Sequence, residues 1–275
     1  MTTESQDVAS PEFYLDQALA AFERALALTD ADERPVTYGV LLHDIAQVHE
    51  SSGRVLEAAD LYRRSAAAKR TGAAPEDLQI TLTSLAKCLL RAGEIEEAHV
   101  VADEAAELLS RPGMDLSRSR RADRVYRLGL LYEQLGDQGA VGAYRQALET
   151  FEWALTLIDE QARPGTCGGV LRAAARMQVL LGRVQDAAVS LTEAVRFLDR
   201  HGDPVAQVSG LIDLGRVYQR LADDSAAAPA IPAPRAPEAS DPGAASDTAA
   251  PTEADDEGTE GETENDGKAA DGPDG

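Results

Sequence analysis

The chain has 275 residues, 44% of them hydrophobic and only 4% aromatic, so its core must be built from Leu, Ala, Val and Ile in closely packed helices, an all-α class. Its formal charge of −22 is concentrated after Ala222, where fifteen acidic residues face two basic ones, Arg235 and Lys268, and the preceding part keeps −9. That balance excludes nucleic acid as a general partner, since phosphate binding needs a net basic surface, and the two distant cysteines, Cys88 and Cys167, form neither a disulfide framework nor a zinc spacing.

The first residues, MTTESQDVASPEF, lack a basic stretch followed by an apolar run, so no signal peptide is expected and residues 1–10 read as flexible. ALAAFERALAL then reads as an amphipathic helix. Four segments follow in which a helix ends at a small glycine-containing turn and a second helix begins. They are HDIAQVHESSGRVLEAADLYRRSA, LAKCLLRAGEIEEAHVVADEAAEL, LGLLYEQLGD and AAARMQVLLGRVQDAAVSLTEAV. Their turn glycines are expected at Gly53, Gly93, Gly136 and Gly182, spaced by 40, 43 and 46 residues. Glycine just past a helix adopts the left-handed conformation at low steric cost. The third unit carries extra residues, QGAVGA at 138–143, which predict a longer loop or an extended helix. TCGGV at 166–170 reads as an inter-repeat turn. LIDLGRVYQRL forms a last helix. No run approaches the ~18 apolar residues needed to cross a bilayer, so the expected location is cytoplasmic.

Beyond Ala222 the composition becomes Ala/Pro-rich and then acidic without aromatic residues. Low hydrophobicity with high net charge cannot offset the entropy of ordering, so residues 223–275 are expected to be a disordered tail. Within 11–222, small residues at Ala46, Ala86, Gly129, Ala175 and Gly215 stand where paired helices touch most closely. Large apolar residues three or four positions away extend a stripe that no single pair can bury, so neighbouring pairs must stack.

These residues resemble tetratricopeptide repeats, which place a large apolar residue, Leu, a small residue and an aromatic on a first helix, and Ala, an aromatic and Ala on a second. The roles fall on Leu42, Ile45, Ala46, His49, Ala58, Tyr62 and Ser65 in the first unit, and on Leu82, Leu85, Ala86, Leu89, Ala98, Ala102 and Ala105 in the second. The third unit supplies Val125, Leu128, Gly129, Tyr132, Ala147, Phe151 and Ala154; the fourth supplies Leu171, Ala174, Ala175, Ala187, Leu191 and Ala194. Ala18, Phe22 and Ala25 match a second helix alone, and Leu211, Leu214, Gly215 and Tyr218 a first helix alone. The resemblance implies a right-handed α-solenoid of about four helix pairs with flanking single helices.

No constellation for catalysis stands out. The histidines are His43, His49, His99 and His201; His43 and His49 lie six apart, on opposite helix faces, and His49 takes an aromatic packing position. Phosphate-loop, dinucleotide and nucleophile-elbow motifs are missing. The chain therefore reads as a binding module without catalytic residue, cofactor or metal. By resemblance, the groove that holds peptides is lined by His43, Gln47, Thr83, Lys87, Arg91, Tyr126, Arg172, Arg176, Arg216 and Arg220. Six of these are cationic, which predicts an acidic or phosphorylated peptide, with Arg172 and Arg176 aimed together at one carboxylate. The alternative for these arginines is pairing with nearby Glu or Asp. The chain's own TEADDEGTEGETEND segment, tethered beyond Arg216 and Arg220, is a second candidate ligand. Rival functions are a sensor of a small peptide or metabolite, and a homo-oligomeric assembly factor, which exposed Leu or Tyr on an end helix would favour.

Overall fold

In the computed structural model the described residues are 10–227, and they form ten α-helices: α1 (Pro11–Ala27), α2 (Pro35–Ser51), α3 (Val55–Thr71), α4 (Pro75–Ala92), α5 (Ile95–Ser110), α6 (Arg118–Asp137), α7 (Ala143–Leu157), α8 (Pro164–Leu180), α9 (Val184–His201) and α10 (Pro204–Ala227). The helices α2/α3, α4/α5, α6/α7 and α8/α9 are four antiparallel pairs, stacked so that each second helix also packs on the next first helix. α1 and α10 are the flanking single helices, against α2 and α9 respectively. Successive first helices touch one another at α2–α4, α4–α6 and α8–α10, which puts them on the inner side of the stack's curve. The acidic tail expected from the sequence lies, from residue 228 onward, outside the described residues, as do residues 1–9. α10 continues through Ala227, past the change of composition at Ala222.

Two devices punctuate the chain. Proline opens α1, α2, α4, α8 and α10, a position where its missing N–H costs nothing and its fixed φ suits the helix. Within each pair the first helix stops at a glycine of positive φ, at Gly53, Gly93, Gly139 and Gly182. Each glycine donates its N–H three residues back, and the next residue reaches five back: Arg54 to His49, Glu94 to Leu89, Ala140 to Leu135 and Arg183 to Gln178. This is the Schellman pattern, which satisfies carbonyls the helix end leaves free.

The sequence assigned the third of these turns to Gly136, and there the structure differs. Gly136 is a buried residue inside α6, and the turn belongs to Gly139, with Gly142 also at positive φ before α7. A Cβ at Gly136 would stand 2.5 Å from the ring of Tyr144. Gly136 is thus a contact glycine, and the QGAVGA insertion is divided between the turn and the first residue of α7. Residues 166–170, TCGGV, expected as an inter-repeat turn, lie instead inside α8, where a Cβ on Gly168 would meet Leu198 at 2.6 Å.

Four of the five small positions do what their spacing implies, whereas Gly215 on α10 is exposed and meets no second helix among the described residues. Ala46 and Ala86 are fully buried, and Ala175 is 1% exposed. A Cβ at Gly129 would meet the Phe151 ring at 2.5 Å, so α6 and α7 approach closely because that side chain is absent. Leu42, Leu82, Val125 and Leu128 fill the seam at 0–1% exposure, with Tyr62 and Phe151 fully buried from the second helices. Cys88 and Cys167 are unpaired and buried in this core.

Candidate binding groove

Among the described residues, depressions lie on the inner face between consecutive first helices at α4–α6, α6–α8 and α8–α10. One, of about 90 Å³, lies between α4 and α6 and is lined by Gln79, Thr83, Lys87, Arg124 and Arg127 among others. A wider cleft of about 820 Å³ separates α6 from α8, with Tyr126, Arg127 and Leu130 on one wall and Arg163, Gly165 and Thr166 on the other. His201 closes its floor: its ring sits where a Cβ on Gly165 would fall, at 2.6 Å. The third, of about 260 Å³, lies between α8 and α10. Its floor is Ala175, Val179, Leu180, Leu191 and Val217, and its rim is Arg172, Arg176, Asp213 and Arg216.

The candidate residues from the sequence are thereby distributed over several places. Arg172, Arg176 and Arg216 meet at the α8–α10 pocket, Tyr126 lines the α6–α8 cleft, and Thr83 and Lys87 line the α4–α6 depression. Gln47 is exposed on α2 and donates its amide to His43 Nε2 at 3.0 Å. Arg220 is exposed on α10, one turn past Arg216.

Arg172 and Arg176 do not aim at one carboxylate. Arg172 reaches forward to α10, its Nε and Nη2 donating to one Asp213 oxygen at 3.0 and 2.7 Å. Arg176 reaches back to Glu133 on α6 at 2.8 Å. Arg91 does the same with Glu50 on α2 at 2.8 Å, and Arg163 with Asp123 on α6 at 2.7 Å. These arginines are struts between neighbouring first helices. Glu133 is the most enclosed partner, with 14% of its side chain exposed, and burial raises its pKa against the opposing pull of Arg176. Among the described residues no ion pair involves Lys87, Arg127, Arg216 or Arg220.

Sequence reasoning missed Arg127, Arg163 and the acidic partners. A signal existed: each partner lies one repeat away, 41 residues for Glu50–Arg91 and Arg172–Asp213, 43 for Glu133–Arg176 and 40 for Asp123–Arg163. The apolar floor was hidden because Leu180 and Val217 become neighbours only through the stacking of α10 on the α8/α9 pair.

The outer face is organised by bidentate pairs between second helices, Arg63–Glu97 and Arg70–Glu104. His43, 6% exposed, belongs to a polar cluster where α2, α3 and α4 meet: its Nδ1 is 3.1 Å from Thr81 Oγ1, which also accepts from Lys69 Nζ at 2.7 Å. Among the described residues no group of His, Cys, Asp and Glu is arranged to hold a metal ion, and no helix is long and apolar enough to cross a membrane.

No family model matches the chain, and no curated protein matches it in sequence. Solved structures do. BtubC (BKLC) from P. vanneervenii superimposes with a TM-score of 0.52 at 21% identity, over 77% of this chain and 85% of that one. The TPR-like repeats of a putative kinesin light chain from P. anserina give 0.55 at 18% identity, over 70% and 90%. Aspartyl phosphate phosphatase F from Bacillus subtilis gives 0.53 at 13% identity over 78% of this chain, which spans 55% of that protein. With its four stacked pairs, its glycine-stopped first helices and these likenesses, the chain has the tetratricopeptide-type helical-repeat fold.

Proposed function

We propose that the protein is an interaction scaffold that holds a segment of a partner protein along its inner face, anchored in the pocket between α8 and α10. The observation that carries this reading is the pairing of an apolar floor with an unneutralised guanidinium: Val179, Leu180 and Val217 below, Arg216 at the rim. Such a site takes an apolar side chain next to a carboxylate. At about 260 Å³ it is smaller than the ~300–1,000 Å³ usual for small-molecule sites, which favours one anchoring side chain of a longer ligand. Arg172 and Arg176 hold the pocket open through Asp213 and Glu133, and Lys87 and Arg127 extend the preference for acidic residues toward the other end of the groove.

The test is binding of the full-length protein to arrayed peptides carrying one Leu or Phe beside two acidic residues, against counterparts with the acids replaced by amides. Arg216→Glu and Leu180→Asp act at exposed positions and leave the struts intact. Each is expected to weaken retention of the acidic peptides by roughly tenfold or more, and the amide peptides should bind poorly throughout. Equal retention by native and variant proteins would remove the pocket from the binding site.

A second reading rests on the α6–α8 cleft, whose volume of about 820 Å³ lies within the range of small-ligand sites. A sensor of a short free peptide or an anionic metabolite would use Arg127 and Tyr126 there. A thermal shift on adding such compounds, lost in Arg127→Ala, would favour it; no shift across a broad panel would count against it.

A further inference from the structure

Among the described residues, the two ends of the solenoid are open in complementary ways. α10 has the register of a first helix: Val208, Leu211, Leu214, Gly215 and Tyr218 correspond to Ala122, Val125, Leu128, Gly129 and Tyr132 of α6. In α6 these side chains are covered by α7, with Ala122 1%, Val125 and Leu128 0% and Tyr132 2% exposed. In α10, Val208 is 54%, Leu211 49% and Tyr218 53% exposed. The glycines make the same contrast. A Cβ on Gly129 would strike Phe151 at 2.5 Å, whereas one on Gly215 would meet nothing within 4 Å. α10 has a prepared face and, among the described residues, no second helix on it.

α1 is the reverse case. Its Ala18, Phe22 and Ala25 correspond to Ala147, Phe151 and Ala154 of α7, and it packs on α2 as α7 packs on α8. All three α7 residues are fully buried, yet α1 contains no buried residue, and among the described residues no first helix precedes it. Phe13 and Tyr14 at its start are 51% and 58% exposed.

We propose that α1 of a second copy of this chain docks on α10, so that the two half-repeats complete a fifth helix pair and the copies join head to tail. The contact would continue the solenoid's own packing, with Phe22 of one copy entering the space above Gly215 of the other. Charge supports this occupant. Within the chain, successive second helices are tied by Arg63–Glu97 at 2.8 Å and Arg70–Glu104 at 2.7 Å. Carried in the same register to the junction, these positions become Thr192 and Asp199 on α9, opposite Gln17 and Arg24 on the incoming α1. The charged pair is retained with its signs exchanged, and the other becomes a polar pair able to hydrogen-bond. All four residues are exposed. The chain's own segment after α10 is a poorer occupant: residues 228–275 contain one large apolar side chain, Ile231, and nothing to replace Phe22. Because the two surfaces differ, the association is heterologous and leaves a working end on each added copy, so it extends beyond dimers into a ring or an open filament.

Sedimentation velocity of the full-length protein across a concentration series tests this. The expected result is a mass average that rises past the dimer with concentration. Gly215→Trp fills empty space in the isolated chain, preserving helicity without lowering the melting temperature, and should abolish self-association. Arg24→Asp should weaken it by roughly tenfold, and Asp199→Arg combined with Arg24→Asp should restore it. Mixing the Gly215→Trp and Arg24→Asp proteins should yield a one-to-one complex and nothing longer, since each retains one working end. A native protein that stays monomeric throughout overturns the proposal, as does assembly indifferent to Gly215→Trp. Assembly that stops at a dimer and ignores Arg24→Asp also overturns it, in favour of a twofold α10–α10 contact.

Discussion

His43 should make the fold acid-sensitive in a window set by its surroundings. Thr81 donates its hydroxyl to the Asp77 carbonyl, so Thr81 Oγ1 can only accept from His43, and the histidine proton belongs on Nδ1. Nε2 then accepts from the Gln47 amide. A second proton has no acceptor in this arrangement. Burial, reinforced by the Lys69 charge, pulls the His43 pKa down to about 4 from an ordinary 6.5. The unfolded chain therefore binds the proton first, and stability contributed by the neutral ring is complete above pH 6.5 and disappears as pH falls toward 4. The full shift corresponds to about 3 kcal/mol, of which about 2 kcal/mol is lost by pH 5. Denaturant unfolding of the native protein and of His43→Gln at pH 7 and pH 5 isolates this contribution, because the other titrating groups largely cancel in the difference. The gap between the two proteins should change by about 2 kcal/mol. A His43 ring titrating at 6 or above by NMR would refute the reasoning.

Other outcomes follow from the same geometry. Lys69→Met should raise the His43 pKa while leaving it below 6.5, since burial is the larger cause and the lysine charge the smaller; the NMR titration reads this directly. Ala73 takes φ +50° at the α3–α4 turn, where Ala74 donates to the Lys69 carbonyl in the pattern glycine serves elsewhere. Ala73→Gly should stabilise by about 0.5–1 kcal/mol in thermal or chemical unfolding. Gly129→Ala and Gly136→Ala would each drive a methyl into an aromatic ring and should cost about 1–3 kcal/mol. Gly215→Ala, at a helical position facing open space, should instead stabilise by up to about 1 kcal/mol.

Much of this molecule was legible in its sequence alone. The recurrence of Leu, a small residue and an aromatic on first helices, with Ala, an aromatic and Ala on second ones, determined four pairs and two single flanking helices. That pattern is a direct consequence of helix periodicity and of how closely two backbones must approach. Gly53, Gly93 and Gly182 were recognisable as helix stops because only glycine enters the left-handed region cheaply. Gly136 and Gly139 could not be told apart in this way. Which of them ends α6 depends on where the Tyr144 ring lies, a contact made across the turn by packing. The groove shows the same division. The sequence named its cations, yet whether an arginine faces a ligand or braces a neighbour depends on carboxylates about forty residues away. Asp213 and Glu133 satisfied Arg172 and Arg176, while Arg216 was left over an apolar floor assembled from three helices. Residue types and periodicity act locally and can be read along the chain. The pairing of charges and the exposure of Leu211 and Tyr218 arise only when the stack is built and α10, among the described residues, has no second helix packed on it.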